Sequence, residues 1–229
     1  SEFKEFRNLF NEKFSKNHLI GIGINSYEKK NDKEIFYNSF SFYNNEIDLI
    51  HAYNKIDLVP FGEFLPFEKI LKSVGLRSLT NNYQSFSSGK KRKIINIDQN
   101  NFDIKILPLI CYEIIYSGKI FNDPEFDYII NISEDGWFGK SIGPHQHFTH
   151  SIFRSIESGK YIIRSANNGI SAIINPLGTI EKQVVFGENG YIDFTKSKTI
   201  ETTTFSKYGN IIFIILILLY IFLIFSFNK

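Results

Sequence analysis

The sequence predicts an α/β fold in which many short strands are combined with few helices. Apolar side chains alternate with a period of two in several segments, which is typical of strands, and residues 144–159 have the spacing of a helix. A third observation is the C-terminal run Ile211–Phe227, which is apolar and which no charge interrupts. Because the strands and helices are mixed rather than strictly alternating, we expect an α/β sandwich followed by one apolar helix.

The individual elements follow from the same patterns. We predict strands at residues 19–24, 36–43, 48–53, 104–110, 127–132, 161–165 and 170–174, with residues 184–185 and 190–194 as closing strands. Residues 27–34 (YEKKNDKE) are predicted to be a charged hairpin loop, and residues 81–101 a long surface loop. In the helix at 144–159, Phe148, Ile152 and Ile156 are expected to form a core stripe.

Composition and charge narrow the class of protein. With 229 residues, 43% of them hydrophobic, the chain can bury one large core, and a charged fraction of 22% excludes wholesale disorder. A net charge of +2 argues against a nucleic-acid partner bound by bulk charge. The basic run at residues 90–93 (KKRK) is interpreted as a solvated loop that could also touch anionic headgroups. A single cysteine excludes an intrachain disulfide and a cysteine-rich zinc site.

The apolar run Ile211–Phe227 predicts a transmembrane helix. Its seventeen residues would span about 26 Å as a helix, against about 30 Å for the hydrocarbon core of a bilayer. The alternative is a buried core helix, but such a helix normally keeps a polar stripe, and this run has none. We therefore expect two domains: an α/β domain at residues 1–206 and a transmembrane helix at residues 207–229.

Cys111 is a candidate nucleophile. It follows the apolar strand ILPLI, and a thiol on a tight turn at a strand end is exposed while the strand stays buried. The amide of Tyr112 could then face an oxyanion, and Glu113 could hold a neighbouring cation or polar group. The alternative is a buried apolar cysteine, which the spacing alone slightly favours.

Residues 58–67 (LVPFGEFLPF) form an unusual loop. Proline and glycine fix its shape, and a single carboxylate, Glu63, lies among aromatic and apolar side chains. A carboxylate in such surroundings needs a cation partner, and Lys55, eight residues earlier, is the nearby candidate. A surface loop with both side chains exposed is the alternative.

Residues 131–139 (NISEDGWFG) place a polar loop and the only tryptophan after a buried strand. Loops at strand ends often hold ligands; the alternative is a simple turn capped by Asp135 and Gly136. The nearby H-x-H-x-x-H pattern of His145, His147 and His150 does not put all three rings on one helix face, so we expect no metal site.

Four segments together resemble one family. They are YNKIDLVPFGEFLPF (53–67), PLICYE (108–113), NISEDGWFGKSIGPHQH (131–147) and RSANNGISAIINPLG (164–178). In this order, and with the C-terminal apolar helix, they resemble the apolipoprotein N-acyltransferases, the membrane-embedded branch of the nitrilase (carbon-nitrogen hydrolase) superfamily. The resemblance implies a nitrilase-like αββα sandwich on the periplasmic side of the bacterial inner membrane, resting on a bundle of transmembrane helices.

The resemblance also implies roles for individual residues. Lys55 and Cys111 match the lysine and the nucleophile of a Glu-Lys-Cys triad. Glu63, Tyr112 and Glu113 match further catalytic residues of the family, and Trp137 and Phe138 match an aromatic loop by the lipid-binding pocket. The implied reaction needs no cofactor: Cys111 takes an acyl chain from a phospholipid such as phosphatidylethanolamine as a thioester. It then passes the chain to the N-terminal cysteine amine of a diacylglyceryl apolipoprotein.

The sequence departs from the family pattern at two places. The triad glutamate of the family lies in a Pro-Glu motif after an early strand, and no such motif occurs before Lys55; Glu2, Glu5 and Glu12 lie in a polar, helix-like segment. We therefore expect the general base to precede Ser1 and the chain alone to be nearly inactive. The second departure is Glu134, where the family usually has asparagine.

Two other functions are consistent with the same residues. One is a membrane-anchored amidase of the nitrilase type that acts on a small amide; the apolar loop 58–67 and the Trp137-Phe138 pair favour a lipid instead. The other is a non-catalytic remnant or membrane-anchored interaction domain. The presence together of Lys55, Glu63, Cys111 and Glu113 argues against a decayed, non-catalytic remnant.

Overall fold

The computed structural model describes residues 2–67, 70, 73, 85–99, 102–118, 125–195 and 200–227. They form two compact units, Ser1–Glu113 with Asn131–Ser133, and Ile114–Ile130 with Glu134–Lys229. The elements in chain order are α1 (Glu2–Lys13), β1 (Ile20–Lys30), β2 (Lys33–Tyr43), β3 (Leu49–Asn54), β4 (Ile95–Gln99), β5 (Phe102–Ile110), β6 (Tyr128–Glu134), α2 (Gly143–Ser158), β7 (Tyr161–Asn167), β8 (Ser171–Ile174), β9 (Ile180–Val184), α3 (Thr204–Tyr208) and α4 (Ile211–Phe227).

The first unit contains an antiparallel sheet in the order β1-β2-β3. The predicted strands are found, but the predicted charged loop at 27–34 is wrong, because β1 and β2 pair as far as Lys30 and Lys33. The turn is only Asn31-Asp32, with φ of 49° and 58°, the left-handed conformation that tight hairpins require. The charged side chains lie on exposed strand ends, so alternation of hydrophobicity is lost there while the backbone ladder continues.

The core of the first unit lies where β2 packs against β5. Phe40 and Phe42 of β2 are buried, and so are Leu107, Leu109 and Ile110 of β5. Adjacent residues of β5 point to opposite faces, so burial of both Leu109 and Ile110 means that both faces of this strand are covered. Two β layers therefore pack together in this unit, as the sandwich prediction requires.

The predicted surface loop at 81–101 is partly wrong. Residues 95–99 form β4, which pairs antiparallel with β5 from Ile95 opposite Ile106 to Gln99 opposite Phe102. Ile95 and Ile97 are buried, although the surrounding lysines and asparagines obscure their period-two pattern. Residues 81–84 and 100–101 of the predicted loop lie outside the described residues.

The second unit contains β7, β8 and β9 as consecutive antiparallel strands, with α2 packed against β7 and β8. Ile162, Ala172 and Ile174 lie at its centre and are fully buried. Helix α2 begins with Pro144 in its first turn and ends at Gly159, whose φ of 68° suits a glycine C-cap. A helix layer thus covers a β layer in this unit.

The predicted core stripe of α2 is wrong in part. Phe148 is buried, but Ile156 is 46% exposed and lies over Gly178, in the turn between β8 and β9. The buried face is instead mostly polar and contains His147, Ser151, Arg154, Ser155 and Ser158. Arg154 explains this burial, because its guanidinium donates to the carbonyls of Ile114 and Ile115 and pairs with Glu157.

The predicted closing strand at 190–194 is also wrong. The ladder ends with β9 at Val184, and residues 190–194 have no strand pairing. Lys182 Nζ donates to the carbonyl of Asp193 at 2.7 Å, and the ring of Phe194 packs against Tyr128 and Tyr161. Side-chain contacts, rather than a backbone ladder, therefore hold this segment.

Helix α4 has the predicted bounds, Ile211–Phe227, and all of its side chains are exposed. Among the residues that the structure describes, no helix combines the length and the apolar character needed to cross a membrane. The predicted transmembrane helix is therefore not confirmed. The predicted domain boundary at 206/207 stays a prediction.

Candidate active site

Cys111 lies on a sharp turn at the end of β5, as predicted. The strand stops at Ile110, and residues Cys111–Ile115 form a single 3-10 turn. Cys111 has a φ of 50°, in the left-handed region that residues with a side chain rarely adopt, and its side chain is partly exposed. Such strain persists only where neighbouring contacts fix the backbone, and it is typical of functional turns.

Glu113 supplies the contacts that fix this turn. Its carboxylate is fully buried in the first unit. It accepts hydrogen bonds from five donors: Tyr53 Oη at 2.7 Å, Ile56 N at 2.9 Å, Asp57 N at 3.2 Å, Arg92 Nη2 at 3.0 Å and Ile110 N at 2.8 Å. Both carboxylate oxygens are used, one by the residue before Cys111 and the other by the loop after β3. Glu113 therefore ties the nucleophile turn to that loop.

Tyr53 and Arg92 respond electrostatically to this buried carboxylate. Burial, followed by the charge of Glu113, raises the pKa of the Tyr53 hydroxyl. Burial works to lower the pKa of Arg92, but the charge of Glu113, together with Tyr53 and the hydrogen bonds to Tyr53 and Asp57, outweighs it and raises the pKa above its ordinary value. At neutral pH Tyr53 is thus a neutral donor and Arg92 a cation, which is what a carboxylate with five donors needs.

Lys55 and Glu63 form the predicted ion pair. Lys55 Nζ lies 2.7 Å from Glu63 Oε2, and the side chains are only 1% and 13% exposed. Glu63 also accepts from Val59 N at 2.8 Å and from Asn38 Nδ2 at 2.7 Å. The alternative in which both side chains are exposed is therefore excluded, and the ammonium of Lys55 is held in one orientation.

The residues predicted for the site thus fall into two clusters of the first unit. Cys111, Tyr112 and Glu113 share one turn, in which Tyr112 is partly buried. Lys55 and Glu63 form the second cluster, and the cation that reaches Glu113 is Arg92 rather than Lys55.

Trp137 and Phe138 belong to the second unit, on the 3-10 turn Gly136–Phe138 after β6. Their exposed fractions are 81% and 39%. The alternative of a simple turn capped by Asp135 is wrong, because its side chain makes no capping bond there. Asp135 is fully buried and instead contacts Arg164 Nη2 and His147 Nδ1, each at 2.8 Å. A buried carboxylate without a cation costs more free energy than a turn without a side-chain cap, so the carboxylate of Asp135 points to Arg164.

The three histidines do not converge. His147 contacts Asp135, His145 is exposed beside the ring of Phe186, and His150 is partly buried. Within the described part of the chain, no group of three or more histidine, cysteine or acidic side chains could hold a metal ion.

Comparisons with known proteins identify the family to which this site belongs. The family model of the carbon-nitrogen hydrolases matches residues 9–200, which is most of the chain. The chain belongs to the carbon-nitrogen hydrolase family. The resemblance predicted from the four segments is also confirmed: the apolipoprotein N-acyltransferase of Rickettsia typhi is 39% identical over 207 residues. That alignment covers 87% of this chain and 40% of the relative.

Two further comparisons agree. The apolipoprotein N-acyltransferase of Bradyrhizobium diazoefficiens is 36% identical over 176 residues, 76% of this chain and 32% of that protein. The chain thus spans about two fifths or less of these curated relatives. Among solved structures, Saccharomyces cerevisiae Nit3, a member of branch 10 of the nitrilase superfamily, has a TM-score of 0.54 at 18% identity. It aligns over 82% of this chain and 62% of its own. The fold is therefore nitrilase-like.

Sequence reasoning missed two parts of this carbon-nitrogen hydrolase domain. The lysines of the run 90–93 are exposed, as predicted, but the side chain of Arg92 is only 11% exposed and is bound to Glu113 and Asp57. The one arginine among lysines was the available signal, because a guanidinium suits several acceptors at once. The buried Arg164–Asp135 pair joins residues 29 positions apart and left no local pattern.

Proposed function

We propose that this carbon-nitrogen hydrolase domain is the catalytic part of an N-acyltransferase. Its acyl donor is a phospholipid such as phosphatidylethanolamine, and its acceptor is the N-terminal cysteine amine of a diacylglyceryl apolipoprotein. The observation that carries the proposal is the strained, partly exposed Cys111 at the end of β5, in a chain closely related to apolipoprotein N-acyltransferases. The proposed site is the periplasmic face of the bacterial inner membrane.

The first half-reaction makes a thioester. A glutamate carboxylate, the general base that the resemblance implies, takes the thiol proton of Cys111. The thiolate attacks the ester carbonyl carbon, so that an S–C bond forms while the bond from that carbon to the glycerol oxygen breaks. The proton returns to this oxygen, and a lysophospholipid leaves.

The second half-reaction makes the amide. The acceptor amine attacks the thioester, an N–C bond forms, and the S–C bond breaks. The base removes the amine proton and Cys111 regains its thiol proton. In both halves, the ammonium of Lys55 and the amide of Tyr112 stabilise the oxyanion, while Glu63 orients Lys55 and Glu113 keeps the nucleophile turn in shape.

A membrane-bound substrate is consistent with the C-terminal segment. In this proposal α4 inserts into the bilayer, because its side chains from Ile211 to Phe227 are uncharged and exposed. The exposed rings of Trp137 and Phe138 contact the acyl chain of the donor.

Covalent labelling tests the function. The intact protein is incubated with phosphatidylethanolamine that carries a labelled acyl chain, and the adduct is recovered by gel electrophoresis. We expect a hydroxylamine-sensitive label that Cys111→Ala abolishes, whereas Glu188→Ala, at an exposed position of the second unit, keeps it. A label that survives Cys111→Ala contradicts the mechanism. Release of ammonia from a small amide without any lipid label would instead indicate an amidase.

A further inference from the structure

The loop that carries Trp137 is held by a carboxylate rather than by packing of the indole. Glu134, the last residue of β6, accepts from Gly136 N at 2.7 Å and from Asn168 Nδ2 at 3.1 Å through one oxygen. Its other oxygen accepts from Asn167 Nδ2 at 2.5 Å. Since Trp137 itself is 81% exposed, these three bonds, rather than contacts of the indole, hold the loop from which the indole projects.

The partners of Glu134 belong to a loop that is itself rigid. Asn167 ends β7, and its carbonyl accepts from Asp135 N at 2.9 Å. Asn168 has a φ of 52°, and a Cβ at Gly169 would overlap the carboxylate of Asp135. The Glu134 brace, meaning Glu134 with Asn167 and Asn168, therefore joins the tryptophan loop to a turn that has little freedom.

Beneath this brace lies the buried carboxylate of Asp135. It contacts Arg164 of β7 and His147 of α2, so the loop is fixed to two elements of the second unit at its base. The Glu134 brace acts further out, between the buried base and the exposed indole. Loss of the brace should consequently free the tip of the loop while the base stays in place.

We propose that Glu134 is a positioning residue that holds the Trp137 loop ready for the acyl chain of the donor. This inference rests on the proposed function. An indole on a loop that is already held loses less conformational entropy when an acyl chain packs on it than one on a mobile loop, and so binds the chain more tightly. The contribution of Glu134 should therefore grow with acyl-chain length and be absent for an acetyl ester.

The first test needs no substrate. Trp137 is the only tryptophan of this chain, so its fluorescence anisotropy reports on this loop alone. We expect lower anisotropy for Glu134→Ala and a smaller loss for Asn168→Gly, which removes one donor and keeps the backbone conformation. Glu188→Ala, an exposed glutamate of the same unit, should match the wild type. Unchanged anisotropy in both brace variants, with folding confirmed by circular dichroism, would overturn the brace.

The second test measures thioester formation from a long-chain phospholipid and from a soluble acetyl ester. Loss of the brace should raise KM for the phospholipid about tenfold, which corresponds to the free energy of one hydrogen bond to a charged group. The maximal rate with the phospholipid, and both KM and the maximal rate with the acetyl ester, should stay unchanged. An equal loss with both esters would mean a merely structural role and would overturn the inference. If the intact wild-type protein, rather than this chain alone, forms no thioester with either ester, the proposed function fails first, whatever the anisotropy shows.

Discussion

At the scale of single residues, the shape of the nucleophile turn depends on Glu113. Five donors from three separate segments meet at its carboxylate, and one of them, Arg92, carries a charge. The side chain has no exposure, so water cannot replace a lost acceptor. A buried charge pair that loses one partner leaves the other charge uncompensated, which costs more than the pair itself contributes.

We predict that Glu113→Gln destabilises the fold by about 3 to 5 kcal/mol, because the amide nitrogen faces donors and Arg92 stays buried without its counter-charge. The matched control is Asp57→Asn, since Asp57 binds the same guanidinium at 2.9 Å but is 39% exposed. That variant should lose less than about 1 kcal/mol. Urea unfolding followed by circular dichroism measures both, and similar small losses would contradict a structural role for Glu113.

The contacts of single residues were predictable only where a local pattern demanded a partner. Glu63 lies in an apolar loop, so it needed a cation, and Lys55 was near in sequence. Asp135 and Arg92 have partners far along the chain, and neither hydrophobic periodicity nor spacing encodes such contacts. The tight turn at Cys111 was expected from its position at a strand end, whereas its left-handed backbone and the network that fixes it were not.

At the scale of elements, helix α2 differs most from its predicted pattern. Hydrophobic spacing identified the helix and nearly its bounds, but its buried face contains Arg154 and several serines. A polar face can be buried here because Arg154 satisfies backbone carbonyls at the end of the nucleophile turn, at Ile114 and Ile115. The hairpin of β1 and β2 shows the converse, since backbone pairing continued where the apolar pattern stopped.

The same helix predicts a pH effect at His150, which is partly buried. Burial, then the charges of Arg154 and His147, lower the pKa of His150 below its ordinary value of 6.5, and Glu157 only partly opposes them. The unfolded chain therefore binds this proton more readily, so the folded state loses stability as pH falls through about 6.5 and is unaffected above it.

His150→Gln should consequently flatten the acid limb of the stability curve. Melting temperatures between about pH 8 and about pH 5 would measure it, this being the range in which histidine titrates. His145→Gln, on the exposed face of the same helix, serves as the control and should follow the wild type. Parallel curves for the wild type and His150→Gln would mean that this side chain does not contribute.

At the scale of the whole molecule, the order of motifs along the chain was the most informative feature of the sequence. The family was identified because Lys55, Cys111 and Trp137 each lie in a segment of the expected order, and the match over residues 9–200 agrees. The membrane prediction stands apart from these motifs, since it depends on Ile211–Phe227 alone.

We predict that α4 binds the chain to lipid. Transfer of its exposed apolar side chains from water to lipid lowers the free energy. The chain should therefore co-sediment with phosphatidylethanolamine vesicles, and deletion of residues 211–227 should release it. A finer variant, Leu216→Lys with Leu219→Lys, keeps the helix but places two charges at its centre, at a cost of about 2.5 to 3.5 kcal/mol each in a bilayer. Leu177→Lys, at a leucine that is 74% exposed outside α4, is the matched control and should leave binding intact. Release by Leu177→Lys but not by the double substitution would place the lipid contact on another surface.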